Sequence, residues 1–333
     1  MTLKKWTKYL AISCLALPVL VSAKTMKVGM GDPINSDQGA YATRFKELVE
    51  FYSGGDIKVK LYPNGALGSE TEMVQNARLG SLDMALIGIG NLTPFSKKLG
   101  ALTMPYLITN SSDAVKITTG ELGAYWAELA KKEAGVDILG WTYSNFRHLT
   151  NSKRPVKNME DVKGLKIRVP QNSIMLKSWE VFGANPIAMA WTETFTALQQ
   201  KVVDGQDNPY IVNNTMKFYE VQPYLTEVHH QYSLQPLVMG ARTFGKLKPE
   251  QQEILLKAGL EAQQYALVFQ MTEAENAKQN MIANGVEVFT LEDEDKWIKA
   301  AKEQVWPEFY DDIGGKASFD NVLEKNAVIE HLN

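Results

Sequence analysis

The sequence predicts an α/β protein built from two lobes, with one long helix that crosses both of them. Strand-like and helix-like segments alternate from Met26 to Trp141 and again from Arg147 to Ser233, a rhythm typical of sheets covered by helices. About 310 residues remain after a removable N-terminal segment, more than one ordinary core contains. From Pro249 to Asn284 one glycine and no internal proline occur, which predicts a helix about 54 Å long.

Residues 1–23 have the pattern of a cleavable signal peptide. Three lysines precede a short apolar run, Tyr9–Val21, and small residues lead up to Ala23. We therefore expect cleavage near Ala23 and export to the periplasm. The apolar run is too short to span a bilayer comfortably, and no later segment approaches the required length. A lipid attached to Cys14 is the alternative, although apolar residues continue beyond that cysteine.

Composition excludes several classes of function. Cys14 is the only cysteine, so a processed chain would have no disulfide, thiol nucleophile or cysteine-ligated zinc. Export without disulfides fits a bacterial periplasm. Loss of the three N-terminal lysines takes the formal charge from −3 to −6. An acidic chain without a basic tract is not expected to bind nucleic acid.

Each element of the first half follows from apolar spacing and from its end signals. The alternation predicts a mostly parallel sheet. The predicted order is strand Met26–Met30, helix Ser36–Tyr52, strand Ile57–Leu61, a helix opened by the capping box Ser69–Glu72, strand Met84–Ile87, helices Asp113–Thr118 and Glu121–Lys132, and strand Val136–Trp141.

The second half restarts the alternation and defines the second lobe. Its predicted elements are strands Arg147–Thr150 and Lys166–Val169, helices Ile174–Val181 and Thr192–Gln200, a turn at Asp204-Gly205, helix Tyr210–Tyr219 and a strand near Val228–Ser233. We assign residues 24–145 and 235–273 to lobe I, and residues 146–234 and 274–333 to lobe II. The long helix, at about 249–284, crosses both.

The segment Gly164–Pro170 carries the strongest candidate for a binding residue. Ile167 and Val169 fall on one face of a short strand, and Arg168 falls on the other face near its carboxyl end. Ligands of open α/β sheets bind at such strand ends. A guanidinium group matches a carboxylate with two parallel hydrogen bonds, which lysine cannot do. A surface ion pair is the alternative role for Arg168.

Further candidates have weaker individual signals. Arg147 lies where the second lobe begins, and Asn208 ends a short strand before proline; a turn cap is the alternative role of Asn208. Trp191, just before a predicted N-cap at Thr192, is either an apolar wall for a ligand or a core residue. Glu70 and Asp32 lie on loops after strands of lobe I, where solvated acids are the alternative.

Catalytic, metal and cofactor signals were not found in the sequence. No nucleophile elbow, phosphate-binding loop, dinucleotide fingerprint or His-x-x-x-His spacing occurs. The neighbours His229 and His230 are predicted to point to opposite faces of a strand, so they cannot bind one metal as a pair. We expect structural roles for all four histidines, no cofactor, no metal and no enzyme activity.

Several motifs in a fixed order resemble the solute-binding proteins of TRAP transporters, of the C4-dicarboxylate-binding type. The resemblance covers essentially the whole processed chain. Its landmarks are Leu61-Tyr-Pro63, Gly80-Ser-Leu-Asp83, Pro105-Tyr106, Arg147 with Thr150-Asn-Ser152, Gly164–Pro170, Gly183-Ala-Asn-Pro186, Val203–Pro209, Lys217–Val221 and the long helix.

The resemblance implies a two-lobed α/β periplasmic binding protein with central mixed sheets, hinge strands and a long helix spanning both lobes. It implies that Arg168 grips the substrate carboxylate, with Arg147 as the second arginine and Asn208 as the asparagine of the family motif. It further implies Trp191 as the aromatic wall and Gln171 as a polar contact. First-lobe contacts correspond less securely, to Glu70 and Asn91. Gly88 and Asn91 stand where sialic-acid binders carry charged residues.

The sequence therefore leads to the hypothesis of a monomeric periplasmic protein that captures a small organic acid, a C4-dicarboxylate or a sugar acid, for TRAP permease subunits. Asp32 hints at hydroxyl recognition and hence at a sugar acid. Two alternatives remain: a binding protein of an ATP-driven transporter, which would lack the long helix, and a periplasmic hydrolase, which would need a nucleophile–base pair.

Overall fold

The computed structural model describes residues 23–328. Residues 1–22, which include Cys14 and nearly all of the predicted signal peptide, lie outside the described residues. Within the described part, none of the helices has the length and apolar character needed to cross a bilayer. Two mixed sheets with flanking helices form two lobes, which confirms the predicted fold class.

Lobe I is built mainly from the first half of the chain. Its elements are β1 (Lys24–Met30), α1 (Asp37–Tyr52), β2 (Ile57–Tyr62), α2 (Glu70–Leu79), β3 (Met84–Leu86), 3-10 turns at Ile89–Leu92 and Lys97–Thr103, α3 (Ser111–Thr118), α4 (Gly120–Leu129) with a π turn at Ala130–Ala134, and β4 (Val136–Phe146). The predicted capping box is present, since Ser69 and Glu72 bond each other's backbone N–H.

Lobe II follows directly after β4. Its elements are β5 (His148–Asn151), α5 (Met159–Val162), β6 (Lys166–Val169), α6 (Ser173–Val181), β7 (Asn185–Ala188), α7 (Trp191–Gln199), β8 (Gly205–Asn208), α8 (Tyr210–Thr215), a 3-10 turn at Phe218–Glu220 and β9 (Tyr224–Glu227). The helix predicted over Tyr210–Tyr219 is thus shorter, because the backbone at Lys217 turns into the left-handed region and breaks it.

The chain then returns and completes both lobes. Its last elements are β10 (Tyr232–Gly240), α9 (Ala241–Gly245), α10 (Pro249–Ala283), β11 (Glu287–Thr290), α11 (Glu294–Ala300) with a π turn at Ala301–Val305, α12 (Trp306–Phe309) and α13 (Lys316–Val328). The predicted long helix is confirmed as one continuous element of 35 residues. It packs against α1 and β4 of lobe I and against α8 of lobe II.

The strand orders are β2-β1-β3-β10-β4 in lobe I and β11-β9-β5-β8-β6-β7 in lobe II. β1, β2 and β3 are parallel, but β10 runs antiparallel to both β3 and β4. In lobe II, β5 runs antiparallel to both β8 and β9. In each sheet one described strand is reversed, β10 in lobe I and β5 in lobe II, while the other strands run in one direction. The sheets are thus mostly parallel as expected, and both reversed strands enter their sheets directly after the chain crosses between lobes.

Two crossings lie side by side and form the hinge. One joins β4 to β5 at Arg147, and the other joins β9 to β10 through residues 228–231. Phe146 pairs with Tyr232, and the Arg147 N–H donates to the Gln231 carbonyl at 2.9 Å. The strand predicted near Val228–Ser233 was wrong in its first half. His229 has a φ of 52° and lies with His230 outside any strand.

The core is divided between the lobes, and the C-terminal segment packs on lobe I. Val305, Trp306, Phe309 and Phe319 share one buried cluster with residues of α2, α3 and α4. A separate cluster fills the space between α5, β6 and α6. The division of the chain between lobes stays a prediction. Within it, the C-terminal side chains Val305, Trp306, Phe309 and Phe319 pack on lobe I, although residues 274–333 were assigned to lobe II.

Close contact between α10 and β4 requires glycine on both sides. A Cβ atom at Gly259 would lie 1.9 Å from the Leu139 carbonyl oxygen, and one at Gly140 would lie 2.6 Å from the Gly259 oxygen. The Tyr41 hydroxyl also donates to the Gly259 oxygen at 3.2 Å. The long helix is thereby seated directly on the backbone of lobe I.

We expect Gly259→Ala to lower the free energy of unfolding by about 1–3 kcal/mol or more, because the added methyl group must displace a backbone carbonyl. Gly245→Ala is the matched control, since a Cβ atom there meets nothing within 4 Å. Urea unfolding followed by circular dichroism measures both. A Gly259→Ala protein as stable as the control would contradict this account of the contact.

Candidate functional site

A cavity lies between the lobes, where β6 and β8 of lobe II face the loops after β1 and β3 of lobe I. Its volume, counted together with the open mouth, is about 550 Å³. The structure brings seven of the eight predicted site residues to its wall: Asp32, Glu70, Asn91, Arg147, Arg168, Trp191 and Asn208.

Gln171 is the exception. It is exposed and does not line this cavity. It borders an adjoining smaller pocket whose wall shares Glu70, Asn91, Arg168 and Trp191 with the cavity. The next residue, Asn172, is turned inward because its side chain caps α6 by accepting from the Met175 N–H. The same amide donates to Thr103 of lobe I at 3.3 Å. Asn172 is therefore the residue after β6 whose side chain is hydrogen-bonded to lobe I.

Arg168 projects into the cavity as the strand pattern predicts. Ile167 and Val169 are wholly buried in the lobe II core, while Arg168 is 3% exposed on the opposite face of β6. Its Nε and Nη2 donate to the Met189 carbonyl at 3.0 and 2.8 Å. Burial, followed by the nearby Arg147 charge, lowers the pKa of Arg168 to about 10. The group remains a cation at neutral pH, and no carboxylate lies within ion-pair distance of it in the described chain.

Arg147 differs because a buried acid already neutralises it. Its Nε donates to Asp207 Oδ2 at 2.7 Å, and its Nη2 donates to the Asp207 carbonyl. His230 Nε2 lies 2.9 Å from the same Oδ2 atom. Burial alone would raise the pKa of Asp207, but the charge of Arg147 and the contact with His230 hold it well below its ordinary value. Asp207 therefore fixes the orientation of the Arg147 guanidinium group.

Asn208 and Trp191 complete the lobe II wall. Asn208 Nδ2 donates to Gln206 Oε1 at 2.6 Å, and its side chain caps no helix, since Pro209 precedes α8. Trp191 is the first residue of α7, whose N-cap is Ala190; the predicted cap at Thr192 was wrong because the helix begins one residue earlier. Its indole ring lies 5.4 Å from the Arg168 guanidinium carbon, so it both lines the cavity and stacks with the arginine.

The lobe I wall is acidic. Glu70 begins α2, and its carboxylate accepts from Gln38 Nε2 at 3.2 Å, from the Gly88 N–H at 3.4 Å and from Asn91 Nδ2. Asp32, in the loop after β1, is 4% exposed. Burial raises the pKa of Glu70 to about 7 and that of Asp32 well above its ordinary value, with the charges of Asp37 and Glu70 adding to the shift at Asp32.

Asp37 and Gln38 were missed from the sequence. Gln38 Oε1 accepts from the Asp32 N–H at 3.0 Å, while its Nε2 donates to Glu70, so it links the two acids. Asp37 is wholly buried behind them and accepts from Ser144 and Gln235. Both residues lie in the first turn of α1, where an acid and a glutamine are common for local reasons. That these two residues belong to the cavity wall follows only from the position of the first turn of α1 in the folded protein.

Metal-ligating groups do not converge anywhere in residues 23–328. His148 and His230 are buried at the hinge, and His229 lies 3.3 Å from Glu294. The ring of His148 packs against Tyr210 and His229. These contacts agree with structural roles for the hinge histidines.

Comparison with known proteins gives one consistent result. The profile described as bacterial extracellular solute-binding protein, family 7 (DctP) matches residues 28–312. The chain is 32% identical over 294 residues to the 2,3-diketo-L-gulonate-binding periplasmic protein of Escherichia coli K12, covering 88% of this chain and 89% of that one. It is 30% identical over 297 residues to the C4-dicarboxylate-binding protein of Bacillus subtilis, covering 87% and 83%.

A solved structure is similar throughout. It is the sugar acid binding protein of Advenella mimigardefordensis in complex with galactonate, with a TM-score of 0.88 at 29% identity. The match covers 92% of this chain and 98% of that chain. The similarity therefore extends over both lobes.

The raised pKa of Glu70 predicts a pH-dependent cost of burying it. Its ordinary pKa is 4.5 and its folded value about 7, so the folded state holds this proton more tightly than the unfolded state. The free-energy cost of burying the ionised Glu70 carboxylate is absent below about pH 4.5 and grows as pH rises toward 7. Relative to Glu70→Gln, the wild type should lose about 2 kcal/mol of unfolding free energy between pH 5 and pH 8.

Chemical denaturation of both ligand-free proteins at several pH values measures this difference. The comparison between variants is needed because His148, whose pKa burial lowers, titrates in both proteins. Glu128→Gln is the control, since Glu128 is exposed on α4. If the difference in unfolding free energy between the wild type and Glu70→Gln stays constant with pH, then ionisation of Glu70 in the folded state does not lower stability, and the prediction is wrong.

Proposed function

Since the chain belongs to family 7 of the bacterial extracellular solute-binding proteins, the DctP family of TRAP transporters, we propose that it captures a small organic acid through Arg168 and delivers it to a membrane permease. The observation that carries the proposal is a buried guanidinium group that faces a cavity and lacks an acidic partner. Burying a charge is costly unless it is paired. A ligand carboxylate supplies the missing pair.

Geometry supports a two-point grip on that carboxylate. Arg168 uses Nε and one hydrogen of Nη2 for the Met189 carbonyl, which holds the guanidinium plane and leaves Nη1 and the second Nη2 hydrogen for a forked contact with the ligand. Arg147 is held in the same wall by Asp207, and Asn208 supplies an amide. Trp191 covers the guanidinium carbon and gives the carbon chain of a ligand an apolar surface. Excluding water from this site strengthens each charged contact.

Closure of the lobes is the change by which the protein signals to the permease that a ligand is bound. The cavity wall comes from both lobes, so a bound acid contacts lobe I and lobe II together only when they are closed. That differential contact shifts the equilibrium toward the closed form. The two adjacent crossings at Arg147 and residues 228–231 provide the hinge. In this proposal the permease recognises the closed shape of a periplasmic monomer.

No observation favours the two alternative functions. A binding protein of an ATP-driven transporter would be favoured by the lack of a helix crossing both lobes, whereas α10 packs on both. A hydrolase would be favoured by a nucleophile hydrogen-bonded to a base at the cavity, and none of the cavity-lining residues named above forms such a pair.

We expect Arg168→Ala to weaken binding by about 2–5 kcal/mol, the range for removing one partner of a buried charge pair. The ligand is the acid that raises the melting temperature most in a panel of aldonates, uronates, keto acids and dicarboxylates. Isothermal titration calorimetry then gives Kd for each variant. Arg168→Lys should recover only part of the loss, because an ammonium group cannot form the forked contact.

Arg44→Ala is the matched control, since Arg44 is an exposed arginine paired with Glu47 on α1. Its Kd should equal that of the wild type. An Arg168→Ala protein that melts like the wild type and binds the same acid within threefold of the wild-type Kd would refute the role of Arg168.

A further inference from the structure

We propose that the lobe I wall admits only one ligand carboxylate and recognises hydroxyl groups instead, so that the ligand is a polyhydroxylated monocarboxylate and not a dicarboxylate. This inference rests on the proposed function, because it assumes that Arg168 binds the carboxylate. It adds the chemistry of the other end of the ligand. The residues that determine it are Glu70 and Asp32, with Gln38 as the residue that positions both.

Hydrogen bonds fix the lobe I wall before a ligand arrives. The Glu70 carboxylate accepts from the side chains of Gln38 and Asn91 and from the Gly88 N–H. Asn91 Nδ2 also contacts the Gly88 carbonyl at 3.2 Å, and Gln38 Oε1 is occupied by the Asp32 N–H. Both N–H groups of the Asn91 amide are therefore occupied within the wall, and the Gln38 amide gives one of its two N–H groups to Glu70.

When they are ionised, the two acids of this wall present acceptors to a ligand. An ionised carboxylate accepts hydrogen bonds and cannot donate them. Glu70 has about four lone-pair sites and uses three, and Asp32 has a carboxylate that is almost wholly buried at the cavity. A ligand hydroxyl can donate to either acid. A second ligand carboxylate placed against Glu70 and Asp32 would face two acids, neither of which can donate a hydrogen bond to it when ionised.

Charge leads to the same conclusion. Arg147 is already neutralised by Asp207, which leaves Arg168 as the cation available to the ligand. One carboxylate balances that cation, whereas a second would lie against the acidic wall. The charged groups that face the cavity or its arginines come from several elements. They are Asp32 in the loop after β1, Asp37 at the start of α1, Glu70 of α2, Arg147 and His230 at the crossings, Arg168 of β6, Asp207 of β8 and Glu193 of α7.

Protonation modulates the selectivity in a predictable direction. The pKa of Glu70 is raised to about 7 by burial, so the wall is more negative at pH 8 than at pH 6. Repulsion of a second carboxylate should be strongest at pH 8. At pH 6 a protonated Glu70 can donate a hydrogen bond, and discrimination against dicarboxylates should decrease.

Two pairs of acids isolate the second carboxylate. D-Galactonate and galactarate share their carbon skeleton and inner hydroxyls and differ only at C6, as do D-gluconate and D-glucarate. For the pair whose monoacid binds, we expect the diacid to bind roughly 30-fold or more weakly at pH 8, the effect of one like charge nearby at an effective dielectric constant of about 20. At pH 6 the ratio of the two Kd values should fall by at least about threefold.

Variants test the residues named. Glu70→Gln should lower the diacid-to-monoacid Kd ratio by about tenfold and reduce its pH dependence, because the wall loses a charge and gains a donor while Asp32 remains. Asp32→Asn should lower the ratio in the same direction and serves as the second variant. Glu128→Gln, which removes an exposed carboxylate on α4, should leave the ratio at the wild-type value. All measurements use calorimetry on the full processed chain.

The outcomes separate this inference from the proposed function. A diacid that binds wild type as tightly as its monoacid, or a best ligand with two carboxylates or no hydroxyl group, overturns the inference while Arg168 can still bind a carboxylate. A ratio unchanged in Glu70→Gln overturns the role of that residue. Failure of every carboxylate in the panel to bind overturns the proposed function itself.

Discussion

A guanidinium group buried without an acidic partner is the constraint on which the site depends. Arg168 keeps its charge at neutral pH although its direct contacts are a backbone carbonyl and an indole ring, while Asp207, Glu70 and Glu193 act on it from beyond ion-pair distance. Arg147, in the same wall, is fully paired with Asp207. Asp207 holds Arg147 as a fixed part of the wall, whereas Arg168 has no ion-pair partner in the described chain. The remaining architecture holds this unpaired charge away from water without neutralising it.

The fold supplies that protection from both sides. Strand ends of lobe II carry the arginines, while two helix N-termini of lobe I, those of α1 and α2, bring acids and amides to the opposite wall. Acids are favourable at helix N-termini, so the polar wall forms at places where the sequence would put such residues for local reasons. Close packing of α10 on β4 at Gly259 holds lobe I as a firm base for this arrangement.

Much of this organisation could be predicted from the sequence, for reasons that are local. The alternation around Ile167 and Val169 gave the direction of Arg168, and the capping box gave the start of α2 within one residue. What local patterning did not predict depends on distant pairing. The antiparallel β10 and the irregular turn at His229 arise where the chain crosses between lobes, and apolar patterning there resembles a strand. Asp37 and Gln38 gave no local signal that distinguishes a cavity wall from an ordinary first turn.

The paired crossings have a mechanical consequence. Phe146 and Tyr232 continue the β4–β10 ladder to the lobe boundary, and the bond from Arg147 to Gln231 extends it by one further rung. A short two-stranded ribbon bends across its flat face far more readily than its strands slide past each other, since sliding would break every rung at once. Bending of this ribbon, together with α10, which packs on both lobes, would restrict relative motion of the lobes to a rotation about the crossings. In the proposed function, the angle of that rotation would report whether the cavity is occupied.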